Sequence, residues 1–181
     1  MTPHPLFTII LAGYQTEPYL QKALDSIANQ TFRDFECICY VEESTDRSLE
    51  LCQAMVEHDS RFKVATGPKS GAVATTRNYG INHALGQYLA IIDGEDWFVP
   101  DMLEKLAEKL KITGEVDVLT FVAVSTEDEN VDVEHSKRIT NFRQSDETAV
   151  FTGLDAVRRS GRNGGTIHSI YYPMIERRRK S

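Results

Sequence analysis

An α/β fold with a mostly parallel sheet and helices on both faces is predicted for this 181-residue chain by three observations. First, apolar runs alternate with helically periodic segments through the first two thirds of the chain, the pattern of a parallel sheet. Second, Tyr88–Asp93 is apolar on both faces, as suits a strand in the middle of such a sheet. Third, Asp93, Glu95 and Asp96 crowd that strand's end, with Gly94 letting the backbone turn between them. The C-terminal end of a central parallel strand is where α/β sheets bind ligands.

The elements follow in order. Leu6–Ala12 is a buried strand broken by Gly13-Tyr14-Gln15. Glu17–Gln30 carries Tyr19, Leu20, Ala23, Leu24, Ile27 and Ala28 at helical spacing. Phe35–Val41 is the second strand, and Ser44, Thr45 and Asp46 are N-cap candidates for a helix running to about Glu57. Leu49, Cys52, Met55 and Val56 line one face of that helix. Phe62–Thr66 is a short strand closed by Gly67-Pro68, and Ser70-Gly71 opens a loop into the helix Val73–Leu85. After the strand Tyr88–Asp93, the spacing of Asp101 and Glu104 predicts a capping box for a helix ending at Gly114. Val116–Val124, rich in β-branched residues, is a further strand. Beyond it the pattern weakens: an acidic loop over Ser125–Glu134, strands at Arg138–Phe142 and Ile167–Tyr172, a short helix at Thr152–Ser160 and a loop at Gly161–Gly165.

Composition narrows the partners. The net charge of −7 argues against nucleic acid. The basic run Arg177-Arg178-Arg179-Lys180 suits a solvated end or, as a rarer role, contact with an anionic membrane surface. Cys37 and Cys39 alternate with apolar residues and so share a face, as small core residues. Three cysteines without a disulfide framework suit a reducing compartment, and no apolar stretch approaches membrane-spanning length. A cytoplasmic setting is expected, at or near the inner face of a membrane.

Three strand-end loops share one rim: Ala12–Tyr14, Glu42–Ser44 and Asp93–Asp96. The Gly-containing loop 71–76 brings Arg77 and Asn78 towards them. Tyr14 is suited to stack on a base, Glu42 to accept from a base N–H, Asp93 to hold ribose hydroxyls and Arg77 to pair with phosphate. Hard carboxylate oxygens favour Mg²⁺ or Mn²⁺, which in turn suits a diphosphate. Duller roles compete: a core aromatic for Tyr14, a helix N-terminus for Glu42 and Glu43, a structural ion pair for Arg77, a solvated turn for the acids. Neither a P-loop nor a dinucleotide-binding fingerprint is present.

Several segments stand together in a familiar order. They are Thr8–Gln15, Ala23–Phe32 with Asp34-Phe35-Glu36, Ser44-Thr45-Asp46, Thr76-Arg77-Asn78-Tyr79-Gly80, Ala84–Tyr88, Asp93–Trp97 and Pro100-Asp101. Over Phe7–Lys109 the chain resembles the inverting nucleotide-sugar glycosyltransferases of family 2, which have the Rossmann-like GT-A fold. The resemblance implies that Ala12 and Tyr14 cradle the base and that Glu42 stands where an Asp usually reads it. It also implies that Arg77 approaches the nucleotide, and that Asp93-Gly94-Glu95 matches the D-x-D motif. In that motif the first acid contacts the ribose side and the last ligates the metal. Glu42 and Glu95 keep the charge of the usual Asp but reach one methylene further.

The resulting expectation is an inverting, metal-assisted transfer from a nucleotide-diphosphate sugar, UDP-type foremost, to a carbohydrate or lipid-linked hydroxyl. Residues 1–124 would be the donor-binding core and 125–181 part of the acceptor side. In the family the catalytic base follows the region equivalent to Ile167–Arg178, often in an acidic pair. The resemblance therefore places the general base beyond Ser181, and no acid of this chain is assigned to that role. On this expectation the chain is a truncated donor-binding half. A non-catalytic nucleotide-binding or scaffold module on the same fold is the competing reading. A nucleotidyltransferase would want a basic Gly-rich loop where Gly13-Tyr14-Gln15 stands.

Overall fold

The computed structural model describes residues 4–114 and 116, and the backbone of two further strands, 118–121 and 172–176. In chain order the elements are β1 (Phe7–Gly13), α1 (Glu17–Ala28), β2 (Phe35–Glu42), α2 (Ser48–His58), β3 (Phe62–Gly67), α3 (Val73–His83), β4 (Tyr88–Asp93), α4 (Met102–Thr113), β5 (Val118–Phe121) and β6 (Tyr172–Glu176). They form one sheet in the order β3-β2-β1-β4-β6-β5. The first four strands are mutually parallel, and β6 runs antiparallel between β4 and β5.

The predicted mostly parallel α/β sheet is therefore present, with a strand the sequence pattern does not place between β4 and β5. The sequence pattern places a last strand at Ile167–Tyr172, of which 167–171 lie outside the described residues; the described strand is Tyr172–Glu176. Pro173 hides it, because proline within a run argues against a strand. Pairing with β4 involves Ile175 and Glu176, so Pro173 stands outside the doubly paired stretch. The elements expected at Ser125–Glu134, Arg138–Phe142, Thr152–Ser160 and Gly161–Gly165 lie outside the described residues. So does Ser181, the position past which the general base is expected, and the described residues do not bear on that expectation.

Period-two alternation divides the core. Phe7, Ile9, Leu11, Cys37, Cys39, Val41, Tyr88, Ala90 and Ile92 face α1, α2 and α4. Ile38 and Leu89 face the other way, with Ala84 and Tyr79. Helix α3 covers that second face and comes close, because a Cβ on Gly80 would collide with the Ile10 side chain. The apolar face predicted for α1 is buried at Leu20, Ala23, Leu24 and Ile27, but Tyr19 is exposed. Cys52 of α2 is fully buried beside Cys37 and Cys39, with Leu49, Met55 and Val56 packed against the same core.

Two buried polar side chains lock the frame. Glu36 is only 5% exposed, yet its carboxylate accepts from Thr8 Oγ1 at 2.7 Å, Leu85 N at 2.6 Å and Lys63 Nζ at 2.7 Å. Thr8 Oγ1 in turn accepts from Gly86 N at 2.8 Å. Gly86 lies so close to β1 that a Cβ there would stand 2.5 Å from Thr8 N. Gln30 is fully buried and links α1 to the approach to α4. Its Nε2 donates to Ser26 O at 3.0 Å and Val99 O at 2.7 Å, and its Oε1 accepts from Leu103 N at 3.0 Å.

The last of these contacts replaces the expected capping box. Asp101 makes no side-chain cap at α4, and Gln30 supplies the acceptor from 73 residues away. Asp101 instead pairs with Lys105 at 2.8 Å, while Glu104 accepts from Thr31 Oγ1 at 2.8 Å. At the start of α2 the expected acid does take part: Asp46 accepts from Ser48 N at 3.2 Å and from Glu17 N at 3.0 Å. One carboxylate thus ties the beginnings of α1 and α2 together.

Glu36→Ala would strand a buried hydroxyl, an amide and an ammonium, and should cost about 2–4 kcal/mol by urea denaturation. Gly86→Ala should cost about 3 kcal/mol, because backbone rather than a movable side chain blocks the new methyl.

The same network sets the response to acid. Burial raises the Glu36 pKa, but the bonds from Lys63, Thr8 and Leu85 outweigh it and leave the group below its ordinary 4.5. For Asp46, too, burial acts upwards and is outweighed, here by Ser44, Glu17 and Ser48, which bring the group down from 3.8 to about 2. Lowered carboxylate values stabilise the fold fully above the unfolded values, and that stability is lost as pH falls through the folded ones. Acid titration followed by circular dichroism should therefore show stability falling below about pH 4.5 and on towards pH 2, with a shallower fall for Asp46→Asn.

Candidate nucleotide-binding site

Strand register brings the predicted residues to one rim. Ala12 lies opposite Tyr40 on one side and Asp93 on the other, Gly13 lies opposite Val41, and Glu42 lies opposite Gly67. Because odd-numbered positions of β1 and β2 fill the α1/α2/α4 core, Ala12 and Glu42 project to the α3 face. Asp93 shares that face, one residue beyond the buried Ile92. The turn that follows is tight: Gly94 N donates to Ala12 O at 2.8 Å. A Cβ on Gly94 would stand 2.9 Å from Thr16 Oγ1 and 3.2 Å from Ala12 O, so the acidic turn needs glycine there.

Helix α3 delivers Arg77 over this rim. Its Nη2 lies 3.3 Å from Asp93 Oδ1 and 3.5 Å from Oδ2, in a pair that is partly open to solvent. Arg77 Nε is buried without a hydrogen-bond partner among the described residues. A cation is thus held against the acids while part of its donor capacity stays unused.

Glu42 is 6% exposed, and its Oε1 accepts a hydrogen bond from Ser70 Oγ. Tyr14, beside it along the rim, is half-buried and accepts from Lys69 Nζ at 2.6 Å. The same ammonium lies 4.4 Å from the centre of the Tyr14 ring. Both contacts come from the loop between β3 and α3. Sequence reasoning assigns no role to Lys69 or Ser70; Gly71, with φ of 67°, is the one local sign of a shaped turn.

The three acids of the turn share one electrostatic field. Glu95 is exposed and Asp96 partly buried, with Asp96 N donating to Asp93 O at 3.0 Å. Burial first, and then the charges of Asp93 and Glu95, push the Asp96 carboxyl above its ordinary 3.8. No group of three metal-ligating side chains stands ready-made among the described residues. Asp93 and Glu95 still offer hard oxygen donors on one turn, the donor type a divalent cation takes. Repulsion among the acids would be relieved by such a charge.

The walls of the site are braced from behind. Gln15 turns the chain with φ of 52°, and Thr16 N then donates to Ser48 Oγ at 3.1 Å. Ser48 Oγ donates to Asp46 Oδ2 at 2.9 Å. On the other side, Phe98 N donates to Ser26 Oγ at 3.1 Å, which fixes the exit of the acidic turn against α1. Trp97 is 40% exposed, with Lys22 Nζ 3.6 Å from its ring centre.

Known proteins resemble this chain in sequence and in fold. Glycosyltransferase GlyA of Streptococcus pneumoniae is 36% identical over 103 residues, which are 57% of this chain and 15% of that protein. An uncharacterized glycosyltransferase of Methanocaldococcus jannaschii, MJ1057, is 30% identical over 128 residues, 70% of this chain and 44% of its own. Among solved structures, S. aureus TarS 1-349 in complex with UDP-GlcNAc superimposes with a TM-score of 0.63 at 25% identity, covering 69% of this chain and 36% of that one. The chain therefore spans less than half the length of each of these relatives. Residues 8–171 match the sequence profile of glycosyl transferase family 2. With a match that runs from Thr8 in β1 through β5 and takes in the whole acidic turn, the chain belongs to glycosyl transferase family 2, on an α/β fold of the GT-A type.

Proposed function

We propose that residues 1–124 are the donor-binding core of a glycosyltransferase that takes a sugar from a nucleoside diphosphate and passes it, with inversion, to a hydroxyl acceptor. The observation that carries the reading is the Arg77–Asp93 pair, set beside Ala12 on the face that Glu42 shares. A cation, two acids and a half-buried aromatic at one strand rim suit phosphate, ribose and base together. Membership of the family supports glycosyl transfer, and TarS, which binds UDP and UDP-GlcNAc, supports a UDP-type donor.

In this reading Tyr14 stacks on the base and Glu42 accepts from a base N–H. Ala12 leaves room for the ring beside the strand, and Asp93 holds the ribose hydroxyls. Arg77 leaves Asp93 in part to pair with phosphate, and its spare donors suit that exchange. Asp93 and Glu95 would hold Mn²⁺ or Mg²⁺, which when bound supplies charge neutralisation at the departing diphosphate. In the transfer, the acceptor oxygen bonds to the anomeric carbon as the bond from that carbon to the diphosphate oxygen breaks. The electron pair leaves with the diphosphate, and the acceptor's proton passes to a carboxylate base, a role this proposal gives to no acid of the chain. We assign residues 125–181 to the acceptor side, which a carbohydrate or lipid-linked hydroxyl would approach.

Isothermal titration should detect UDP binding to the chain in the presence of Mn²⁺ and lose it on adding a chelator. Glu95→Ala should abolish that metal-dependent component while leaving the melting temperature within about 2 °C, because an exposed acid contributes little to stability. A flat titration with UDP, GDP and dTDP alike would count decisively against the reading.

Arg77→Ala should weaken UDP binding roughly ten- to a hundredfold, the loss of a charge-assisted contact to phosphate. The fold should lose no more than about 1 kcal/mol, since the pair with Asp93 is open to water. Comparing the binding curve with a urea melt of the same variant separates the two effects.

A further inference from the structure

We infer that Ser70, in the loop between β3 and α3, is a positioning residue that fixes the Glu42 carboxylate for recognition of the base. The inference rests on the proposed role of Glu42 and names a residue that role depends on. Three observations carry it.

Glu42 is nearly withdrawn from water, so its carboxylate depends on donors from the protein. The hydrogen bond it accepts from a side chain comes from Ser70 Oγ, onto Oε1. That leaves Oε2 to face an incoming N–H. Ser70 is itself held in place, because its Oγ accepts from Ala72 N at 3.1 Å. The turn thus holds the oxygen in place, with Ala72 O at 3.2 Å as the longer alternative acceptor for its one proton, and Gly71, with φ of 67°, makes that turn possible. Finally, the adjoining residue of the loop, Lys69, reaches Tyr14 at 2.6 Å. One loop thus contacts both Tyr14 and Glu42.

The geometry also accounts for glutamate at position 42. A glutamate carboxylate has one more rotatable bond than an aspartate and would wander without an anchor. Ser70 supplies the anchor across the strand end. In the Ser70→Ala variant the carboxylate keeps its place on β2, but its orientation is no longer set.

The test is titration of the chain and its variants with UDP in the presence of Mn²⁺, with thermal melts alongside. Ser70→Ala should weaken UDP binding about five- to tenfold with the melting temperature of the free protein unchanged. Ser70→Thr, which keeps the hydroxyl, should bind like the unaltered chain. Glu42→Gln should weaken binding at least as much, and Glu42→Gln with Ser70→Ala should be no weaker than Glu42→Gln alone, because the hydroxyl acts through the carboxylate. Unchanged UDP affinity in Ser70→Ala overturns the inference while the nucleotide reading stands. So do losses that simply multiply in the double variant. If Ser70→Ala lowers the melting temperature, the Ser70→Thr and Glu42→Gln titrations decide on their own, and a Glu42→Gln variant that binds normally overturns it. An absence of UDP binding by the unaltered chain overturns the nucleotide reading and this inference together.

Discussion

A single carboxylate holds the framework in register. Glu36 sits on β2, receives Thr8 from β1 and Lys63 from β3, and takes the amide of Leu85 at the turn that leads into β4. All four parallel strands are thus referred to one side chain at the N-terminal end of the sheet. Its burial is costly in isolation and is offset by three donors, one of them charged. Gly86 is part of the same clasp, because the turn passes too close to β1 for any side chain.

What this clasp does for the site follows from strand geometry. Glu36 and Glu42 lie on the same face of β2, six residues and so roughly 20 Å apart. One end of that face is sealed by hydrogen bonds, and the other presents Glu42 beside Ala12 and Asp93. A slip of one residue in any strand would turn its acid into the opposite core. Register enforced at the sealed end is therefore what brings the acids and Arg77 together at the open end. Gln30 and Ser26 do similar work for the acidic turn, because they anchor the backbone at Phe98, Val99 and Leu103.

The open end combines a cation with unused donor capacity and a cluster of acids. Arg77 shares a loose pair with Asp93 and keeps a buried Nε without a partner among the described residues. Asp96 feels the charges of both neighbouring acids. Such a constellation is poor material for stability and good material for binding an anion through a cation. The loop carrying Lys69 and Ser70 meets it at Tyr14 and Glu42.

Much of this was legible in the chain alone, and the reason is periodicity. Alternation of strand and helix specified the layer structure, and the apolar run into Asp93 marked a central strand with acids at its end. Tyr14, Glu42, Arg77, Asp93 and Glu95 could be brought to one rim because parallel strands put all their C-terminal ends on one edge. Local pattern could not reveal bonds that span the fold. The cap on α4 comes from Gln30 rather than from Asp101, the motif around Glu36 and Gly86 proves to be a structural clasp, and the strand containing Pro173 enters the sheet against its own composition. Nor could it tell that Ser70 meets Glu42, 28 positions away. Spacing along the chain encodes which way a side chain points within its own element; which distant donor it meets depends on how the elements pack.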